Sequence, residues 1–82
     1  MSETTQELSF GQKAVGLKFN HAEGETHDAV HDMKQKYADV IDALNDLRES
    51  STDGEVKRLA SAAITEAQGA QMWAVKALTW EK

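Results

Sequence analysis

Few residues of this chain have side chains and spacings suited to chemistry, and the most suggestive are Phe19, Asn20 and Lys34. Phe19 and Asn20 open FNHAEGE, a stretch rich in turn-forming residues, and Lys34 follows fifteen positions after Phe19. An aromatic ring in a loop can stack on a nucleobase, an interaction worth about 1–3 kcal/mol per base. A Lys ammonium is a mobile point charge that pairs with phosphate. Lys13, Lys18 and Lys36 add positive charge nearby in sequence. The competing reading makes Phe19 an apolar plug at the end of a helical hairpin. A second set is Arg58, Thr65, Gly69 and Met72, whose spacings of seven, four and three put them on one helix face. Arg58 offers a planar fork of donors for phosphate. Thr65 is an isolated hydroxyl in an Ala-rich stretch. Repeated around a threefold axis, this face would present a ring of Arg and a ring of Thr. In a lone helix the same residues reduce to a solvated Arg and a Thr bonded back to its own backbone.

Catalytic sets are scarce. The chain has no Cys, so it has neither a disulfide framework nor a thiolate metal site. It has no Gly-rich phosphate loop. Asp39 with Asp42, and Asp46 with Glu49, are expected on a solvated helix face rather than as acid–base pairs. His27 and His31 stand at i, i+4, a spacing able to chelate a metal. The third ligand and the intervening Glu of a zinc protease are missing, so no metal site is expected. Nothing in the residues asks for a cofactor. The chemistry is that of a binder and not an enzyme.

Net charge is −5. That argues against long DNA or RNA, whose binding leaves a basic footprint. It leaves room for a small phosphate ligand in a local basic pocket gathered by symmetry. No apolar run approaches the roughly 18 residues of a membrane span. The opening residues Met1 to Glu7 have neither a basic region nor an apolar stretch, and are expected to be a polar tail rather than a signal peptide.

The elements that must position these residues are helical. Residues 1–8 read as a flexible tail and 9–82 as one helical hairpin domain. Ser9 to Lys18 forms a short helical turn with Ser9 as N-cap and Gly16 as its stop. A first long helix runs from Thr26, as N-cap, to Glu49, with Val30, Met33, Tyr37, Val40, Ile41, Leu44 and Leu47 at three- and four-residue spacing. Thr52 and Glu55 have capping-box spacing and start a second long helix that continues to Trp80. The short link makes the pair an antiparallel hairpin. Trp73 and Trp80 are expected to pack. The second long helix carries Ala60, Ala62, Ala63, Ala67, Gly69, Ala70, Ala74 and Ala77, with larger apolar groups around most of its circumference. An ordinary surface helix buries one stripe only. A chain of 82 residues buries about 60–65% of its extended surface and offers this helix too few neighbours. The expected fold class is therefore all-α: an antiparallel helical hairpin with a short N-terminal helix, assembling into a homo-oligomer.

The run SFGQKAVGLKFN, the later Lys34, and the C-terminal RLASAAITEAQGAQMWAVKALT resemble the small phage proteins of the anti-CBASS protein 2 type. These share a helical hairpin domain with the Thoeris anti-defence protein 1 sponge. The resemblance spans residues 9–80 and implies a homo-hexamer that sequesters cyclic oligonucleotide immune signals in the host bacterial cytoplasm without cleaving them. It implies that cyclic dinucleotides bind at subunit interfaces through Phe19, Asn20 and Lys34. It implies a separate threefold site for cyclic trinucleotides lined by Arg58 and Thr65, with Lys57 adjacent. The family's best-known member has Tyr where this chain has Phe19, so stacking is kept and a hydroxyl contact is lost. Many similar sequences carry Pro where this chain has His21. The rival to a sponge is a helical module that docks on a host or phage protein through its Ala-rich face.

Overall fold

Ser9 begins the ordered architecture because it satisfies orphan backbone donors at both ends of a capping box. Its hydroxyl accepts from the Gln12 N–H, and the Gln12 side chain accepts from the Ser9 N–H. The result is α1, Phe10–Ala14, in a computed structural model that describes residues 7–81. The expected tail falls mostly outside the described residues; Glu7 and Leu8 precede α1 without regular structure. α1 ends as expected at Gly16, which is left-handed at φ 65°. The Gly16 N–H donates to Lys13 O and the Leu17 N–H to Gln12 O, the paired bonds of a Schellman stop.

α2 spans Gly24–Ser50 and α3 spans Gly54–Leu78. Both starts differ from the sequence expectation. α2 begins two residues before Thr26, with Glu23 as N-cap and no side-chain cap bond. Gly24, left-handed at φ 60°, turns the loop into the helix, and the His27 N–H closes the first turn on Glu23 O. Thr26 is thus inside the helix. α3 is capped by Asp53 rather than Thr52, because the Asp53 carboxylate accepts from the Glu55 N–H at 2.9 Å. α3 stops at Leu78 and leaves Trp80 in a turn.

α2 and α3 form the hairpin, and α1 lies along α2. The buried core is small: Val15, Ala38, Ile41 and Ile64, flanked by Ala14, Leu17, Tyr37, Leu44 and Ala67. α1 comes so near to α2 that a Cβ on Gly11 would lie 2.1 Å from Ala38 O. The Gly11 N–H, freed at the helix start, donates to Asp42 Oδ1 at 2.6 Å. Asp42 is therefore half-buried and structural, not part of a solvated acidic face.

The Cα trace is only 13 Å thick along its shortest axis, close to the width of one helix. Globular domains pack at least two layers around a core. One layer leaves apolar groups uncovered, and Val40, Leu47, Leu59, Met72, Trp73 and Trp80 are all exposed. Trp73 and Trp80 do not pack within the chain; both rings stand in the open with Lys76 Nζ over them at 5.5 and 5.9 Å. The described residues contain helices and no strand, and no helix is long and apolar enough to cross a membrane.

Candidate functional site

Three of the residues singled out by sequence meet at the open end of the hairpin. Phe19, Asn20 and Lys34 line a cleft of about 580 Å³ with Thr26, Val30 and Val75. Such a volume is within the range of small-ligand sites. A shallower cleft of about 400 Å³ adjoins it and shares Phe19, Lys34 and Val75. Phe19 and Lys34 thus stand between two hollows.

The Phe19 ring is 75% exposed, so it is not a plug for the hairpin end. Its position comes from α1. The Schellman turn delivers the chain to Gly16, and the Phe19 N–H donates to Gly16 O at 2.9 Å. Lys34 has a role that its sequence neighbours conceal. It lies on the apolar stripe of α2 and is 7% exposed. Its Nζ donates to Phe19 O at 2.7 Å and Gly16 O at 3.0 Å. The ammonium therefore holds the aromatic loop in place. Burial pushes its pKa below the ordinary Lys value. An ammonium has three donors, and the loop uses two. The third has no partner among the described residues.

Asn20 acts as a loop staple. Its Nδ2 donates to His27 O at 3.0 Å and its Oδ1 accepts from the Ala22 N–H at 3.2 Å. These bonds tie the loop to the first turn of α2. Asn20 lines the cleft while its amide is engaged on both sides.

Arg58 and Thr65 are elsewhere. Along α3 they stand about 25 and 15 Å from Val75, at 1.5 Å per residue. Both are exposed. The Arg58 guanidinium makes a two-point pair with Glu55, Nε to Oε1 at 3.1 Å and Nη2 to Oε2 at 2.6 Å. That pairing lowers the Glu55 carboxyl pKa and raises that of Arg58. Thr65 Oγ1 donates back to Ser61 O at 3.3 Å. Within one chain each side chain is satisfied locally, and nothing gathers them into a pocket. The described residues hold no cluster of His, Asp and Glu fit for a metal ion. His27 lies beside Asp28 at 3.4 Å on the surface.

Sequence reasoning missed Thr26, Val30, Val75 and Thr79, which line the larger cleft, and Gln71, which lines the smaller one. A usable signal existed. Lys34 and Gln71 each interrupt an apolar stripe, Val30–Lys34–Ala38–Ile41 on α2 and Ala60–Ile64–Gln71–Val75 on α3. A polar residue at a core position asks for a reason.

A family model described as the Acb2/Tad1 hairpin domain matches residues 12–79. No curated protein matches the chain, and no solved structure does.

Proposed function

The chain belongs to the Acb2/Tad1 hairpin family, and on that footing we propose that it is a phage anti-defence sponge acting in the host bacterial cytoplasm. It binds cyclic oligonucleotide immune signals and returns them intact. Cyclic dinucleotides occupy the Phe19–Lys34 cleft, completed by a neighbouring subunit. Bases stack on the free Phe19 ring, and the unused Lys34 donor takes a phosphate oxygen. The observation that carries this reading is the exposed Phe19 ring standing at a cleft beside a buried ammonium. Buried ionised groups are retained where a site needs them.

A homo-hexamer is the assembly in this reading. Its support is physical: a layer one helix thick, with large apolar side chains uncovered on α3. Assembly also brings several Arg58 and Thr65 side chains together, where a lone chain has one of each. A cyclic trinucleotide then lies on that ring, with Arg58 exchanging Glu55 for phosphate. Sequestration at nanomolar Kd corresponds to about −12 kcal/mol. Stacking supplies about 1–3 kcal/mol per base, so burial between subunits must contribute much of the rest.

Calorimetric titration with cyclic GMP–AMP, read beside the mass by light scattering, tests the proposal. Tight binding to a hexamer, abolished by Phe19→Ala with the mass unchanged, is the expected result. Full recovery of the ligand after denaturation separates a sponge from a hydrolase. Unchanged affinity in Phe19→Ala removes the site assignment. A second reading, a module that docks on another protein, is favoured by the exposed Met72, Trp73 and Trp80. A monomer that gives no heat with nucleotide moves the choice to it.

A further inference from the structure

Gln71 is the most buried polar side chain the proposed function leaves unused. It is 5% exposed, deeper than Lys34. The other described glutamines each find partners: Gln12 at Ser9 and Gln35, Gln35 at Asp39, and Gln68 at Ala14 O. Among the described residues Gln71, the deepest of them, makes no side-chain hydrogen bond. Native interiors avoid leaving such an amide dry and unpaired, and an unpaired one calls for an explanation. Its surroundings supply one. Gln71 lines the smaller cleft together with Phe19, Lys34 and Lys13. One hollow therefore offers an aromatic face, two cations and an amide.

We propose that Gln71 reads the Hoogsteen edge of an adenine held in the smaller cleft, giving the binding site a base preference. The inference rests on the sponge reading. A carboxamide presents one donor and one acceptor side by side. Adenine presents the complementary pair on its Hoogsteen edge, N7 and the N6 amine, and this is the usual Gln contact. Guanine's Hoogsteen edge carries two acceptors, N7 and O6, and cannot satisfy both halves of the amide. Phe19 fixes the plane of the ring and Gln71 fixes which edge turns inward. Desolvation before binding works in favour of the ligand, because the amide has no protein partner to give up.

The test uses Gln71→Met, which keeps length and volume, and Gln71→Leu as a second apolar shape. Each is titrated with cyclic di-AMP and with cyclic di-GMP, beside a thermal melt of the free protein. The expected result is an unchanged or raised Tm, affinity for cyclic di-AMP weakened about tenfold or more, and a smaller change for cyclic di-GMP. A clear fall in the Tm of both variants overturns the proposal, since it makes the amide a structural group. Unchanged cyclic di-AMP affinity overturns it and leaves the sponge standing. So does a wild-type protein that takes cyclic di-GMP and refuses cyclic di-AMP. A wild-type protein that binds neither overturns it as well, and one that also refuses cyclic GMP–AMP removes the dinucleotide sponge with it.

Discussion

Gly11→Ala should disable the proposed nucleotide site without touching it. The new Cβ would meet Ala38 O at 2.1 Å, Ala38 C at 2.9 Å and Asp42 Oδ1 at 2.9 Å. Two of those atoms are backbone, so no flexible side chain can yield. α1 must lift away from α2. Lifting breaks the 2.6 Å bond from the Gly11 N–H to Asp42, a hydrogen bond to a charged group worth about 1.5–3 kcal/mol. It also exposes Val15, now 4% accessible, whose burial contributes about 1.5–3 kcal/mol. The combined loss is about 3–6 kcal/mol, confined first to residues tied to α1. Amide hydrogen exchange reads it directly: protection across Phe10 to Leu17 should fall by more than a hundredfold while the centre of α2 changes far less. Affinity for cyclic GMP–AMP should fall too, because the Gly16 turn that seats Phe19 hangs on α1. Gly54→Ala is the control. Nothing lies within 4 Å of a Cβ there, and the helix should gain up to about 1 kcal/mol. Wild-type exchange in Gly11→Ala would refute the close approach and the chain of support from α1 to Phe19.

Three further outcomes follow from the same contacts. Lys34→Met should weaken dinucleotide binding about 10- to 100-fold, the worth of a charge-assisted bond, while Tm moves little, because removing a buried charge offsets the lost loop bonds; a large Tm fall with intact binding contradicts it. The pH dependence of Lys34 has a definite sign. Its folded pKa is lowered by burial, so between that value and the ordinary 10.5 the unfolded chain holds more protons, and stability rises with pH. Denaturant unfolding from neutral pH to 10.5 should show wild type gaining on Lys34→Met, and a constant difference counts against a buried ammonium. Arg58→Ala and Thr65→Ala should leave Tm and dinucleotide affinity unchanged, since the Glu55 pair is exposed and screened, yet weaken cyclic trinucleotide binding; equal loss of both ligands would merge the two sites.

The helices, their order and the hairpin were legible in the sequence because they depend on local periodicity and caps. Ser9, Gly16 and the spacing of Val30, Tyr37, Ile41 and Leu44 carry their own instructions, and the structure follows them. Local rules alone misplaced the helix starts, since Thr26 and Thr52 each looked a better cap than the residue that serves. At α2 the Asn20 staple and Gly24 make the turn without a hydroxyl, and at α3 the Asp53 carboxylate is one residue nearer. Exposure was less legible still. Val40 and Leu47 keep the apolar rhythm of α2 but face outward, because one chain supplies no second layer to cover them.

For the site, residue type and spacing were enough to single out Phe19, Asn20 and Lys34, and the fold brings those three to one cleft. What they do there was decided by contacts between residues far apart in sequence. Lys34 Nζ reaches carbonyls fifteen and eighteen positions away and becomes a clamp as well as a charge. Gly11 and Asp42, thirty-one positions apart, seat α1 so that the clamp has a loop to hold. Gln71 reaches the smaller cleft only because α3 folds back across α2. Periodicity encodes which face of a helix is apolar. It does not encode what the opposite helix places against a given residue, and that pairing made Lys34, Asp42 and Gln71 what they are.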